Sequence, residues 1–169
     1  MKIILLYAAI VGSLFVSCNA QEGNSENGGK PKEEKKISKR DRSITKANSY
    51  SDLFIDSMVV EKFIADKKIP DSLSRRIRSF YNTRNYQFAW FTSKGLTEQA
   101  RGFWNLHDYH TTYNHDTLLH SKSLQKTMDN LIAEEDLSVN ASNKTFINTE
   151  LTLTNHSFIC DEPLRRWVC

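Results

Sequence analysis

Apolar positions along this chain recur with helical spacing in five stretches, separated by polar breaks. Tyr50, Leu53, Phe54, Val60, Phe63 and Ile64 fall largely on i, i+3, i+4 positions, which predicts a core-facing helix from about residue 50. Ile69-Pro70-Asp71-Ser72 ends it, because proline disfavours helical backbone just before itself, and Asp71 or Ser72 can cap the amides of a new helix. Leu73, Ile77, Phe80 and Tyr81 line that second helix. Arg75, Arg76 and Arg78 lie mostly off its stripe and read as a solvated face. An aromatic-dense connector, Asn82 to Leu96, follows; within it Gly95 reads as a C-cap or turn glycine taking positive φ. Thr97 then caps a third helix carrying Leu96, Ala100, Phe103 and Trp104. Asp108 to Asp116 shows no period and reads as a polar loop. Leu124, Met128, Leu131 and Ile132 mark a fourth helix, and Ser142 caps a fifth carrying Ile147, Leu151, Thr154 and Phe158. No window alternates with period two, and glycine is scarce. The expected fold is all-α, about five helices around an aromatic-rich core.

The ends are organised differently. Lys2, the apolar run Ile3 to Val16 and the small residues after it read as a signal peptide, too short for an ordinary membrane span. Leu14-Phe15-Val16-Ser17-Cys18 is close to a bacterial lipobox, with Phe15 where leucine is usual, so Cys18 is the expected lipidation site. The alternative is cleavage after Ala20 and secretion to the periplasm. Residues 19–47 are polar and hold too little apolar surface to repay ordering, which predicts a disordered tether. The net charge of +3 belongs to this tether: eight basic against three acidic side chains lie between Lys30 and Lys46, leaving residues 47–169 at −1. The tether reads as a solvated spacer, with contact to anionic lipid or wall polymer as the alternative, and nothing points to nucleic acid. The expected plan is a leader over 1–18, a tether over 19–47, a helical domain over 48–158 and an aberrant tail over 159–169.

Candidate chemistry is sparse. Cysteine catalysis needs a thiolate stabilised by a histidine or a helix N-terminus. Cys160 instead precedes Asp161 and Glu162, and Cys169 is terminal, so neither reads as a nucleophile. His107, His110, His115 and His120 lie within fourteen residues, with Asp108 and Asp116 among them. Only His107 and His110 could share a helical face, so a surface loop is preferred over a zinc site. Arg84 sits among aromatics, where stacking on a ring is preferred over pairing with a carboxylate ligand. Asn140, Asn143 and Asn155 head glycosylation sequons that a bacterial lipoprotein would not use. No metal, cofactor or small-molecule substrate is expected.

The run FYNTRNYQFAWFTSKGLTEQA (Phe80 to Ala100), with Tyr109-His110 and Thr149-Glu150-Leu151-Thr152-Leu153-Thr154-Asn155, resembles the scaffold domain of the large multidomain bacterial L,D-transpeptidases, which cross-link peptidoglycan. The likeness covers about Ser72 to Phe158. It implies a helical, non-catalytic support held together by Phe80, Tyr81, Tyr86, Trp90, Phe91, Phe103 and Trp104. It also implies an envelope location, lipid-anchored in the periplasm or outer membrane, with peptidoglycan or a catalytic domain as partner. The family's Ser-His-Gly-Cys motif is absent, so no activity is expected of this chain alone. The tail from Cys160 loses helical period at Pro163, and Arg165-Arg166-Trp167-Val168-Cys169 reads as a frameshifted or prematurely stopped end. The alternative is a free-standing helical envelope lipoprotein that binds wall polymer or a partner protein.

Overall fold

The computed structural model describes residues 36–113, 119–134 and 137–166, with side chains to residue 160. Five helices dominate: α1 (Ser57–Asp66), α2 (Asp71–Thr83), α3 (Glu98–Tyr113), α4 (Lys122–Ala133) and α5 (Lys144–Arg166). α5 packs against α1, α2 and α3, so it is the element around which the others are arranged. The aromatic connector between α2 and α3 folds back as a two-residue hairpin, β1 (Phe91–Thr92) against β2 (Gly95–Leu96), antiparallel with Phe91 opposite Leu96. The all-α expectation holds, with this small sheet as an addition. Gly95 sits at φ +126°, the conformation its lack of a Cβ permits, and serves the hairpin, not a helix end.

The first helix starts later than its spacing predicts. Asp56 caps α1, its Oδ1 accepting from the Met58 amide at 2.8 Å, and residues 51–55 are extended. Ser51, Leu53 and Ile55 point inward while Asp52 and Asp56 are exposed, a short alternation of period two. Leu53 and Ile55 pair with the connector: the Phe88 amide donates to Leu53 O (2.9 Å) and the Ile55 amide to Tyr86 O (2.8 Å). Backbone partners across the fold thus outweigh local helical spacing. α2 begins on Pro70, with no side-chain cap; Asp71, placed in the first turn, pairs with Arg75. Its arginines are half-buried and engaged, not fully solvated. Arg76 lies over Phe158, 4.6 Å from the ring centre, and Arg78 reaches Glu61 at 2.8 Å.

α3 runs on to Tyr113, so residues 108–113 are helical where a loop is expected; the helix presents polar side chains outward there. Thr97 caps it, Oγ1 accepting from the Ala100 amide at 3.1 Å. Ser121 caps α4, whose Leu124, Met128 and Leu131 are buried. α5 is capped by Asn143, not Ser142: Asn143 Oδ1 accepts from the Thr145 amide at 2.9 Å. Its backbone stays helical through Pro163 to Arg166, where the sequence predicts an aberrant tail from residue 159.

The tether is shorter than its composition implies. Residues 38–44 lie along the C-terminal half of α2 as a strap: the Ser38 amide donates to Ser79 Oγ (3.0 Å), the Asp41 amide to Asn82 O (2.8 Å) and Asn85 Nδ2 to Ile44 O (2.7 Å). Arg40 covers Tyr86, 4.7 Å from the ring centre. These bonds satisfy backbone groups that hydrophobicity alone would leave to water. The leader, Cys18 and the tether up to residue 35 lie outside the described residues.

Candidate functional site

The centre of the molecule is a buried acid held by the aromatic connector. Glu150, on α5, is fully buried. Its Oε1 accepts from the Ala89 amide at 2.7 Å and from the Tyr81 hydroxyl at 3.1 Å; its Oε2 accepts from the Trp90 amide at 2.9 Å. One turn on, Thr154 Oγ1 accepts from Trp90 Nε1 at 2.8 Å and lies 2.8 Å from the Tyr81 hydroxyl. Thr154 Oγ1 also donates to the Glu150 backbone carbonyl at 3.0 Å, so with the Tyr81 proton on the carboxylate the single Thr154 proton is shared between that carbonyl and the Tyr81 hydroxyl. Three elements, α2, the connector and α5, are therefore joined by one hydrogen-bond network.

The sequence places these groups together for simple reasons. Glu150 and Thr154 are one turn apart, so both project from the same face of α5. The connector turns sharply after α2 because Asn85 and Tyr86 both take positive φ, 50° and 64°, and this brings the amides of Ala89 and Trp90 onto α5. Left-handed backbone at a tyrosine is costly. It is held by the Tyr86 amide donating to Tyr81 O (2.8 Å), by the Tyr86 hydroxyl donating to Asn82 Oδ1 (2.9 Å) and by stacking on Tyr81.

Burial raises the Glu150 carboxyl to about 7, against the two connector amides, the Tyr81 hydroxyl and the Arg84 charge, which all favour the ionised form. Burial likewise raises Tyr81 well above its usual range, with the Glu150 charge adding to it. Arg84 is lowered by burial, opposed by attraction to Glu150. Its guanidinium stacks 4.5 Å from the Phe80 ring centre, and its Nε is buried without a hydrogen-bond partner. Arg84 thus packs on a ring, as its aromatic setting predicts, and also supplies the charge that partly offsets Glu150.

Of the seven aromatics assigned to the core, Tyr81, Tyr86, Trp90, Phe91 and Trp104 are buried; Phe80 and Phe103 are partly buried and pack against the same cluster. Phe80 meets Tyr81 and Phe158 edge-on, and Trp90 packs on Phe103 at 5.2 Å. The histidine-rich segment does not form a unit. His107 is buried on α3 and meets His156 of α5, Nε2 to Nδ1 at 3.0 Å, while His115 and Asp116 lie outside the described residues. The two ring centres are 5.1 Å apart and their planes differ by 11°, so the rings meet edge to edge and the facing nitrogens point at each other. That is the geometry of an N–H···N bond; lone pairs converging on a third point would be needed for a metal. Among the described residues no group of three His, Cys, Asp or Glu side chains is placed to hold a metal ion. Cys160 is buried on α5.

Glu150 and His156 are the residues that sequence reasoning assigns no role. A signal for Glu150 exists: it lies three residues after Ile147 and four before Thr154, so it occupies a core position of the α5 stripe. A charge on a core stripe points to a buried, hydrogen-bonded acid. His156 carries no comparable signal, since its partner is 49 residues away.

A family model described as Scaffold domain matches residues 75–158. No curated protein and no solved structure matches the chain. The matched span starts inside α2 and ends on α5, and so contains the connector, both histidines of the pair and every residue of the Glu150 network. The chain therefore carries a Scaffold domain over residues 75–158, consistent with the scaffold domain of the L,D-transpeptidase family.

Proposed function

We propose that this chain is the non-catalytic scaffold portion of a peptidoglycan L,D-transpeptidase, anchored in the cell envelope through lipid on Cys18. The observation that carries this reading is the Glu150 network inside the matched span. Glu150, Tyr81, Trp90 and Thr154 spend their polar groups on one another and on the connector backbone, which is the chemistry of a rigid support. The catalytic cysteine then belongs to a domain that this one braces. The exposed face of α3, with Leu106, Tyr109 and Tyr113 at intervals of three and four, fits as the surface that such a domain covers.

The biochemical test uses the lipid-free chain and a cysteine L,D-transpeptidase catalytic domain supplied separately. The chain alone forms no cross-links between tetrapeptide stems. Mixed, it co-elutes with the catalytic domain and raises its thermal midpoint; Leu106→Glu with Tyr109→Glu removes both effects. Cross-linking by the chain alone, or indifference to the catalytic domain, overturns the proposal. The same exposed face favours a second reading, a free-standing envelope lipoprotein that holds wall polymer. Sedimentation of the chain with purified sacculi, lost in the Leu106→Glu, Tyr109→Glu variant and achieved without any catalytic domain, would select it.

A further inference from the structure

A groove of about 530 Å³ opens between the α1–α2 corner and α5, a volume in the range of small-ligand sites. Phe63 and Leu73 form one wall and Phe158 the other, so its middle is apolar. Two polar groups on its lining remain unspent. Asn155 Oδ1 is buried and accepts no hydrogen bond from the protein, so it is open to a donor from outside the chain. Lys67, directly after α1, is exposed and forms no ion pair among the described residues. On the same rim, α2 begins at Pro70 without a side-chain cap, and the neighbouring Asp71 is already engaged by Arg75. The groove therefore offers a cation at its mouth, apolar walls and an orphaned acceptor.

The complement of that arrangement is a carboxylate, an apolar side chain and an amide N–H carried on one short frame. We propose that the groove binds the carboxy-terminal residue of a peptide. Its carboxylate meets Lys67, its side chain lies between Leu73 and Phe158, and its N–H donates to Asn155 Oδ1. A fatty acid would satisfy Lys67 and the walls but leave Asn155 unmet, which is why the peptide is favoured. This inference rests on the groove alone and stands whether or not the chain supports a transpeptidase.

Three probes separate the contacts on the full chain, followed by NMR titration: N-acetyl-leucine, N-acetyl-leucinamide, which lacks the charge, and 4-methylpentanoate, which lacks the amide. N-acetyl-leucine is expected to bind best, with the loss of either group weakening binding about tenfold. Lys67→Gln, at an exposed position, should erase the preference for acid over amide; Asn155→Ala should erase the preference for N-acetyl-leucine over 4-methylpentanoate. Thermal melts report whether each variant folds, and the probe series on the unaltered chain stands if Asn155→Ala does not. No perturbation at the groove by N-acetyl-leucine at roughly tens of millimolar overturns the proposal. So does equal binding of 4-methylpentanoate, which would mark a fatty-acid site, or binding indifferent to Lys67→Gln.

Discussion

At the scale of single residues, Glu150 decides the most. A carboxylate in the core is tolerable only because two backbone amides and a phenol point at it, and because Arg84 lies close enough to attract it. Burial still outweighs these, raising the carboxyl from 4.5 to about 7. The sign of the consequence follows from proton linkage. Between those values the folded state holds a proton that the unfolded state has released, so raising pH favours unfolding. The cost is absent below about 4.5 and complete above about 7, and amounts to roughly 3 kcal/mol. Urea melts at pH 5 and pH 8 should show stability falling by about that amount. Glu150→Gln should lack this slope and be less stable at pH 5, because one connector amide would then face an NH2 group. A wild-type profile flat across that window would mean that the three donors hold the acid ionised throughout.

At the scale of elements, the connector hairpin shows how little structure is needed to aim a backbone. β1 and β2 are two residues each, yet the turn between them lets the Val139 amide donate to Ser93 O at 3.1 Å and the Ser93 amide donate to Asp52 Oδ1 at 2.9 Å. The Ser93 side chain first, and this amide second, hold the Asp52 carboxyl below its usual range. Gly95 is what permits the geometry. Gly95→Ala would meet Leu137 at ordinary contact distance, 3.6 Å, so space is not the obstacle; the backbone at φ +126° is. The substitution should cost about 1–2 kcal/mol, read as a lower urea midpoint at unchanged slope. An unchanged midpoint would place Gly95 outside the left-handed region. Every helix except α2 follows ordinary capping rules, with Asp56, Thr97, Ser121 and Asn143 each accepting from an amide of the first turn.

At the scale of the whole molecule, the domain begins before its first helix. The strap over residues 38–44 closes the C-terminal end of α2 and covers Tyr86, one of the two residues with left-handed backbone beneath it. A chain starting at Ala47 should therefore be less stable than one starting at Lys36 by about 2 kcal/mol, the net worth of several backbone bonds and a cation–π contact less the cost of ordering the strap. Equal urea midpoints for the two chains would make the strap a passenger. The Scaffold match starts at residue 75, so α1 and the strap lie before the matched span; α1 packs on α5, and the strap on the C-terminal end of α2.

Helix number, the burial of Tyr81, Trp90 and Trp104, and the Thr97 cap were all legible in the sequence, because periodicity and capping act within one turn of helix. The stacking of Arg84 was legible too, since its aromatic neighbours are adjacent in the chain. What stayed hidden depends on partners far along the chain. Residues 51–55 are extended because their backbone pairs with Tyr86 and Phe88. Arg76 and Arg78 are half-buried because Phe158 and Glu61 engage them, and His107 leaves its neighbouring histidines for His156. Local spacing thus determined where the helices lie and which faces turn inward. Only the tertiary structure decided how a buried acid, a histidine pair and a strap are satisfied, because a polar group's partner is chosen in space and leaves no period in the sequence.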